Sequence, residues 1–227
     1  MTNNCSCSRR RLIGLAGTAL AFGAIGGVPG HAKAEPQRLA GKPRLKRLSD
    51  GSLSRPGFSA TTSDDSAVLR VGPQIFYLDP RTDAEFAEGD DGIVTGIVIK
   101  AGGMLSLFGP RAGKGVSVAT PNASGAIRGT TTYIAWQESE ARIYICCCYG
   151  SVEISNLAGG GQLLDTRYHN AIILPSGGGT EPAPYDRPLD HFDDDIAYLE
   201  RQVGREPRWQ LPTGEMLFLA PDTVTVN

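Results

Sequence analysis

Cys146 and Cys148 stand two residues apart in the run Ile143-Tyr144-Ile145-Cys146-Cys147-Cys148-Tyr149-Gly150. Side chains alternate along a strand, so Cys146 and Cys148 share one face with Tyr144, and Cys147 shares the other with Ile143 and Ile145. A rise of ~3.3 Å per residue puts the two same-face Cβ atoms ~6.5–7 Å apart. A disulfide wants Cβ atoms near ~3.8 Å. Two thiolates converge more easily on one soft ion, each Zn–S bond being ~2.3 Å. His169, in a turn after the following strand, is the third candidate ligand, and His191 a possible fourth. The chemistry that fits is a thiolate/imidazole-bound metal ion such as zinc. A plainer alternative stays open, in which Cys146 and Cys148 are inert and half-buried. In either case Cys147 continues an apolar face and reads as a small core residue.

Other chemistries are excluded by missing patterns. There is no Cys-x-x-Cys for thiol redox work and no Cys-x-x-Cys-His for covalent haem. No GxSxG elbow, P-loop, GxGxxG opening a helix, or HExxH is present. The runs Gly159-Gly160-Gly161 and Gly177-Gly178-Gly179 lack the strand-to-helix context that phosphate binding needs. The expectation is a protein that binds and does not catalyse.

The elements around these residues are short and β-type. Val68–Val71, Gln74–Leu78, Ile93–Lys100, Met104–Phe108 and Val116–Thr120 are separated by Gly72-Pro73, Asp79-Pro80, Gly102-Gly103 and Gly109-Pro110. Tyr133–Trp136, Arg142–Tyr149, Ser151–Ile154, Leu163-Leu164 and Ala171–Leu174 continue the pattern. Strands of ~5 residues with glycine turns every ~8–12 predict an all-β fold, an antiparallel sandwich or a short β-solenoid. Ser176–Pro188 is glycine- and proline-rich loop. One helix is predicted over about 193–203: Ile196, Leu199 and Val203 share a face, and Gly204 terminates it. Asp193-Asp194-Asp195 meet its positive end, with Asp190 or Asp193 as the N-cap. Met216–Leu219 and Thr223–Val226 are candidate late strands.

The N-terminal end carries export grammar. Ser8-Arg9-Arg10-Arg11-Leu12-Ile13 resembles a twin-arginine motif, Leu12–Val28 is apolar, and His31-Ala32-Lys33-Ala34 is a small-x-small cleavage pattern. Cleavage after Ala34 is expected, giving a periplasmic chain with no transmembrane segment. An uncleaved leader would instead anchor it to the membrane. Removing residues 1–34 leaves 18 basic against 24 acidic residues, a net charge of −6 in place of −2. A chain this acidic has no general attraction for nucleic acid. Residues 35–66 read as a linker, basic and rich in proline, glycine and serine, with no period long enough to bury a face. Domain limits follow: a leader at 1–34, that linker, a β domain at 67–175, then loop, helix and tail at 176–227.

Thr120-Pro121, Gly125-Ala126-Ile127-Arg128-Gly129-Thr130 and Cys148-Tyr149-Gly150-Ser151-Val152-Glu153-Ile154 together resemble the FecR-domain family of periplasmic β modules. Its motif is a TP-x-A stretch, an (I/V)RGT segment, a strand, and a G-x-V turn. The likeness covers about residues 68–175. It implies a non-catalytic sensory, scaffolding or signal-relay module whose partner is an unidentified envelope protein or small ligand. A second expectation is a structural envelope interaction module with neither metal nor ligand. Within the motif, Gly129 suggests a tight backbone corner, with Arg128 satisfying carbonyls or an acid there. A subset of the family resembles this chain in Cys146-x-Cys148-Tyr149-Gly150, Tyr168-His169 and Val203-Gly204-Arg205. Tyr168 stands where that subset has a first histidine, and Ile145 where it has an aromatic.

Overall fold

The computed structural model describes residues 35–48, 56–109, 115–183 and 189–207. The leader and both candidate late strands lie outside the described residues. Thirteen strands form, in order, β1 (Gln37–Ala40), β2 (Arg44–Leu48), β3 (Gly57–Thr61), β4 (Ala67–Val71), β5 (Gln74–Leu78) and β6 (Asp83–Glu88). Then come β7 (Val94–Phe108), β8 (Val116–Ala119), β9 (Ala123–Gln137), β10 (Arg142–Asn156), β11 (Gly161–Thr166), β12 (Asn170–Pro175) and β13 (Glu181–Ala183). One α-helix among the described residues, α1 (Asp193–Arg201), follows. The all-β expectation with one short C-terminal helix holds.

Three strands of 15 residues each, β7, β9 and β10, build the body. Each belongs to two layers. The first half of β7 pairs with β6 and β8, and its second half with β5 and β9. The first half of β10 pairs with β12, its second half with β11, and β9 runs along both. One layer therefore reads β1-β4-β5-β7-β9-β10-β12-β13, and the other gathers β2, β3, β6, β8 and β11 around the remaining halves. Every pairing among the described residues is antiparallel except β7–β8. That pattern belongs to a sandwich closing on itself, and not to a solenoid, which stacks parallel strands.

Long strands cross between layers where their ladders slip. β9 and β10 change register at Cys147/Tyr149 and again at Gly150/Ser151, which leaves Cys148 and Gly129 as the extra residues. A bulge bends a strand and increases its twist. In β7, Gly102 takes φ +73°, and a Cβ there would lie 2.7 Å from the Cα of Thr82. Only glycine allows that approach.

Several sequence expectations are corrected here. Gly102-Gly103 does not separate two strands but bends one. Ile127–Thr130 is not a corner joining strands; it lies inside β9, and the chain passes through it with a register slip at Gly129. Gly150 likewise sits within β10, with φ +105°, and does not end it. Arg128 is exposed and pairs with Glu153 at 3.3 Å, so it serves no buried corner. The supposed linker at 35–66 supplies β1, β2 and β3, and Phe58 and Ala60 of β3 are fully buried. Its alternation is too short to read, but β6 pairs with all five β3 residues. β13 forms inside the expected loop by pairing with β12.

Alternation along the strands makes two apolar clusters. The inner one lies between the layers and holds Phe58, Phe76, Phe86, Ile97, Ile134, Ile145 and Cys147. Phe58 and Phe86 stack there at 4.7 Å. The outer one lies on the reverse face of the first layer. Val68, Ile75, Leu105, Leu107, Tyr133, Tyr144, Cys146 and Cys148 form it with Ile196 and Leu199 of α1. Burying such side chains contributes roughly 1.5–3 kcal/mol each.

Candidate metal centre

β10 delivers two cysteines to the outer cluster and one to the inner, as the alternation requires. The bulge at Cys148 falls between Cys147, which faces Thr132, and Tyr149, which faces Thr131. There the chain must leave one layer for the other, and the ladder is already broken. The Cys148 thiol donates toward the carbonyl of Cys146 at 3.8 Å. The Cys148 carbonyl accepts the backbone N–H of His169 at 2.9 Å, which fixes the residue just before β12. Thr166 closes that turn, its hydroxyl donating to the Tyr168 carbonyl at 3.0 Å. His191 arrives from the other side, on the segment leading into α1.

All four predicted ligands meet. One donor atom from each of Cys146, Cys148, His169 and His191 lies within 4.8 Å of every other. Cys146 Sγ is 3.3 Å from His169 Nδ1, and Cys148 Sγ is 3.4 Å from His191 Nε2. A tetrahedral ion with bonds of ~2.3 Å to sulfur and ~2.0 Å to nitrogen has sulfur–nitrogen edges of ~3.5 Å. The two contacts match that edge. Both cysteines are 0 % exposed, His191 1 % and His169 3 %, so an ion here would be closed off from solvent.

The far side of each ring settles which nitrogen carries the proton. His191 Nδ1 lies 2.7 Å from the Leu189 carbonyl, which can only accept, so Nδ1–H donates and Nε2 faces Cys148. His169 Nε2 lies 2.8 Å from Asp193 Oδ1, so Nε2–H donates and Nδ1 faces Cys146. Tyr168 donates to the other Asp193 oxygen at 2.9 Å. Histidines that bind metal are oriented by such partners on their outer nitrogen. His191 also stacks on Tyr133 at 4.7 Å.

The four groups in this dry corner act on one another's charge. The Cys148 thiol donating toward it, helped by His169 and His191, pulls Cys146 well below the ordinary thiol range against the cost of burial. Burial, and then Cys146 beside it, push Cys148 well up. Burial opposes a charged His169, but hydrogen bonds to Asp193 and Cys146 prevail and raise it to about 9. Cys147, alone in the inner core, is pushed by burial up to about 12.

The residues Ile127, Arg128, Gly129, Thr130 and Gly150 take no part in this cluster; they shape the strands that carry it. Asp193 is the functional residue that sequence reasoning assigned elsewhere. It does not cap α1: the N-cap is Phe192, whose N–H is accepted by Asp195 at 2.9 Å. Asp193 is committed to His169 and Tyr168, and Asp190 sits at φ +54°, so neither expected residue caps. A carboxylate two places after a candidate ligand was the available clue. α1 ends at Arg201 with Gln202 as its C-cap, short of the expected 203, and Gly204 at φ +69° closes the turn that follows, its N–H on the Arg201 carbonyl.

No protein-family model matches the chain, and neither does any curated protein. Among solved structures, two crystal structures of a "putative anti-sigma factor" from Parabacteroides distasonis ATCC 8503, at 2.50 and 1.65 Å resolution, are similar to it. Each aligns over 63% of this chain with 15% identity and a TM-score of 0.46. The chain covers 62% of one and 64% of the other, less than two thirds of their length. No helix among the described residues is long and apolar enough to cross a membrane.

Proposed function

We propose that this protein is an exported, non-catalytic FecR-type module that acts by binding or signal relay, built around a structural Cys2His2 metal centre. The observation that carries the metal reading is the convergence of Cys146, Cys148, His169 and His191 on one buried point within 4.8 Å. Four protein ligands leave no open position for water or substrate, which is the pattern of structural and not catalytic zinc. Charge favours a divalent ion, because two thiolates and two neutral imidazoles make a neutral complex with it. A monovalent ion would leave a net negative charge in a dry site, which is costly. The FecR-type reading and the periplasmic compartment rest on the motif residues and the export grammar.

The rival reading, an envelope interaction module without metal, has its own support. Cys146–His169 and Cys148–His191 already pair with one another at hydrogen-bonding distance. Elemental analysis of protein purified from the exported fraction separates the two. One equivalent of a divalent metal, lost in a Cys146→Ser/Cys148→Ser variant, supports the centre. Metal-free protein whose double variant melts unchanged supports the rival.

A further inference from the structure

The centre joins two parts of the chain that lie far apart in sequence. Cys146, Cys148 and His169 belong to β10 and to the turn entering β12. His191 belongs to the segment 189–207, which carries α1 across the outer apolar cluster. The Cys148–His191 contact bridges residues 43 apart in sequence.

Segment 189–207 is otherwise attached at its far end. Glu200, 3 % exposed, accepts from Tyr149 and from Arg205 Nε at 2.5 Å. Arg205 also donates to the Pro73 carbonyl at 3.3 Å, and Arg70 to that of Gln202 at 3.4 Å. Between the ends, only Ile196, Ala197 and Leu199 of α1 are buried apolar side chains. At its near end the contacts are Asp193 with His169 and Tyr168, the His191–Tyr133 stack, and a 3.5 Å bond from the Leu189 N–H to Tyr144. A helix of nine residues does not persist by itself in water. Its order depends on being held against the sheet.

We infer that the bound ion is a clasp: it fastens segment 189–207 over the outer face of the sheet, and its removal frees that segment while the layered body stays folded. This rests on the metal reading above. The inner cluster draws on both layers and contains none of the four ligands, with Cys147 its one cysteine neighbour to them. Nothing in that core therefore requires the ion. Ile75, Tyr77, Leu107 and Tyr149 share the outer cluster with Ile196 and Leu199, so opening of the segment would expose part of that apolar face.

The test is hydrogen exchange by mass spectrometry on the exported protein, metal-loaded and chelator-stripped, with metal content measured on the same samples. An opening that breaks the site is suppressed by mass action, so with free metal at ~100 times its dissociation constant, protection rises ~100-fold. That gain is expected for amides at 192–205, while those of Ile97 and Ile134 in the inner core remain strongly protected in the stripped protein. A His191→Ala variant keeps three donors. It should still take up metal, more weakly, and protection at 192–205 should no longer respond to it. The clasp is overturned if the loaded protein binds metal yet 192–205 exchanges alike in both states. It is equally overturned if stripping exposes the whole body at once. Protein that takes up no metal instead defeats the reading beneath it, and the clasp with it.

Discussion

Asp193 accepts the Nε2–H of His169 at 2.8 Å, so this ring turns its other nitrogen, Nδ1, toward Cys146. The same carboxylate accepts from Tyr168. One acid thus fixes both the tautomer and the tilt of a candidate ligand.

Asp193→Asn retains the shape and loses the charge and part of the acceptor capacity. Metal affinity is expected to fall ~10–100-fold, as it does when partners of ligating histidines are changed. Competition against a chelating dye measures it. Unchanged affinity would mean that Asp193 serves only Tyr168 and the helix dipole.

The three adjacent cysteines should behave in two ways. Cys148→Ser is expected to lose the metal. Cys147→Ser is expected to keep it and lose about 1–3 kcal/mol of stability, because a hydroxyl is then buried in the inner apolar cluster. Denaturant unfolding with metal analysis on the same preparations checks both.

Gly125 lies where β9 presses on β10. A Cβ there would collide with the Glu153 carbonyl and sit 2.8 Å from the Cα of Ile154, both backbone atoms that cannot swing away. Gly125→Ala is expected to cost about 1–3 kcal/mol or more. It should leave metal stoichiometry intact, since the site lies at the opposite half of β10. A thermal melt and elemental analysis decide it.

Export by the proposed leader predicts a mature chain beginning at Glu35. Arg9→Lys/Arg10→Lys should hold the precursor inside the cell. N-terminal sequencing from the envelope fraction tests this, and a soluble intracellular precursor with Met1 intact would contradict it.

Much of the site could be read from types and spacing, because strand alternation alone puts Cys146 and Cys148 together and Cys147 apart. His169 followed from its place after the next strand, and His191 from its place before a helix marked by Ile196, Leu199 and Gly204. The partners of those ligands were less visible. Asp193-Asp194-Asp195 satisfies a helix dipole as well as it satisfies a histidine, and only the meeting of β12 with α1 chooses. Strand lengths were misjudged for one physical reason. Glycine marks a turn and a bulge alike, so Gly102, Gly129 and Gly150 looked like strand ends where the chain bends and continues. Phe58 and Ala60 lay hidden in a basic stretch because five residues are too few to establish a period, and their burial comes from β6.

X-ray absorption at the edge of the metal carried by the native protein tests the central claim most directly. The account predicts a four-coordinate ion with two sulfurs at ~2.3 Å and two nitrogens at ~2.0–2.1 Å. A shell of oxygens alone, or one that survives Cys146→Ser/Cys148→Ser, would contradict it.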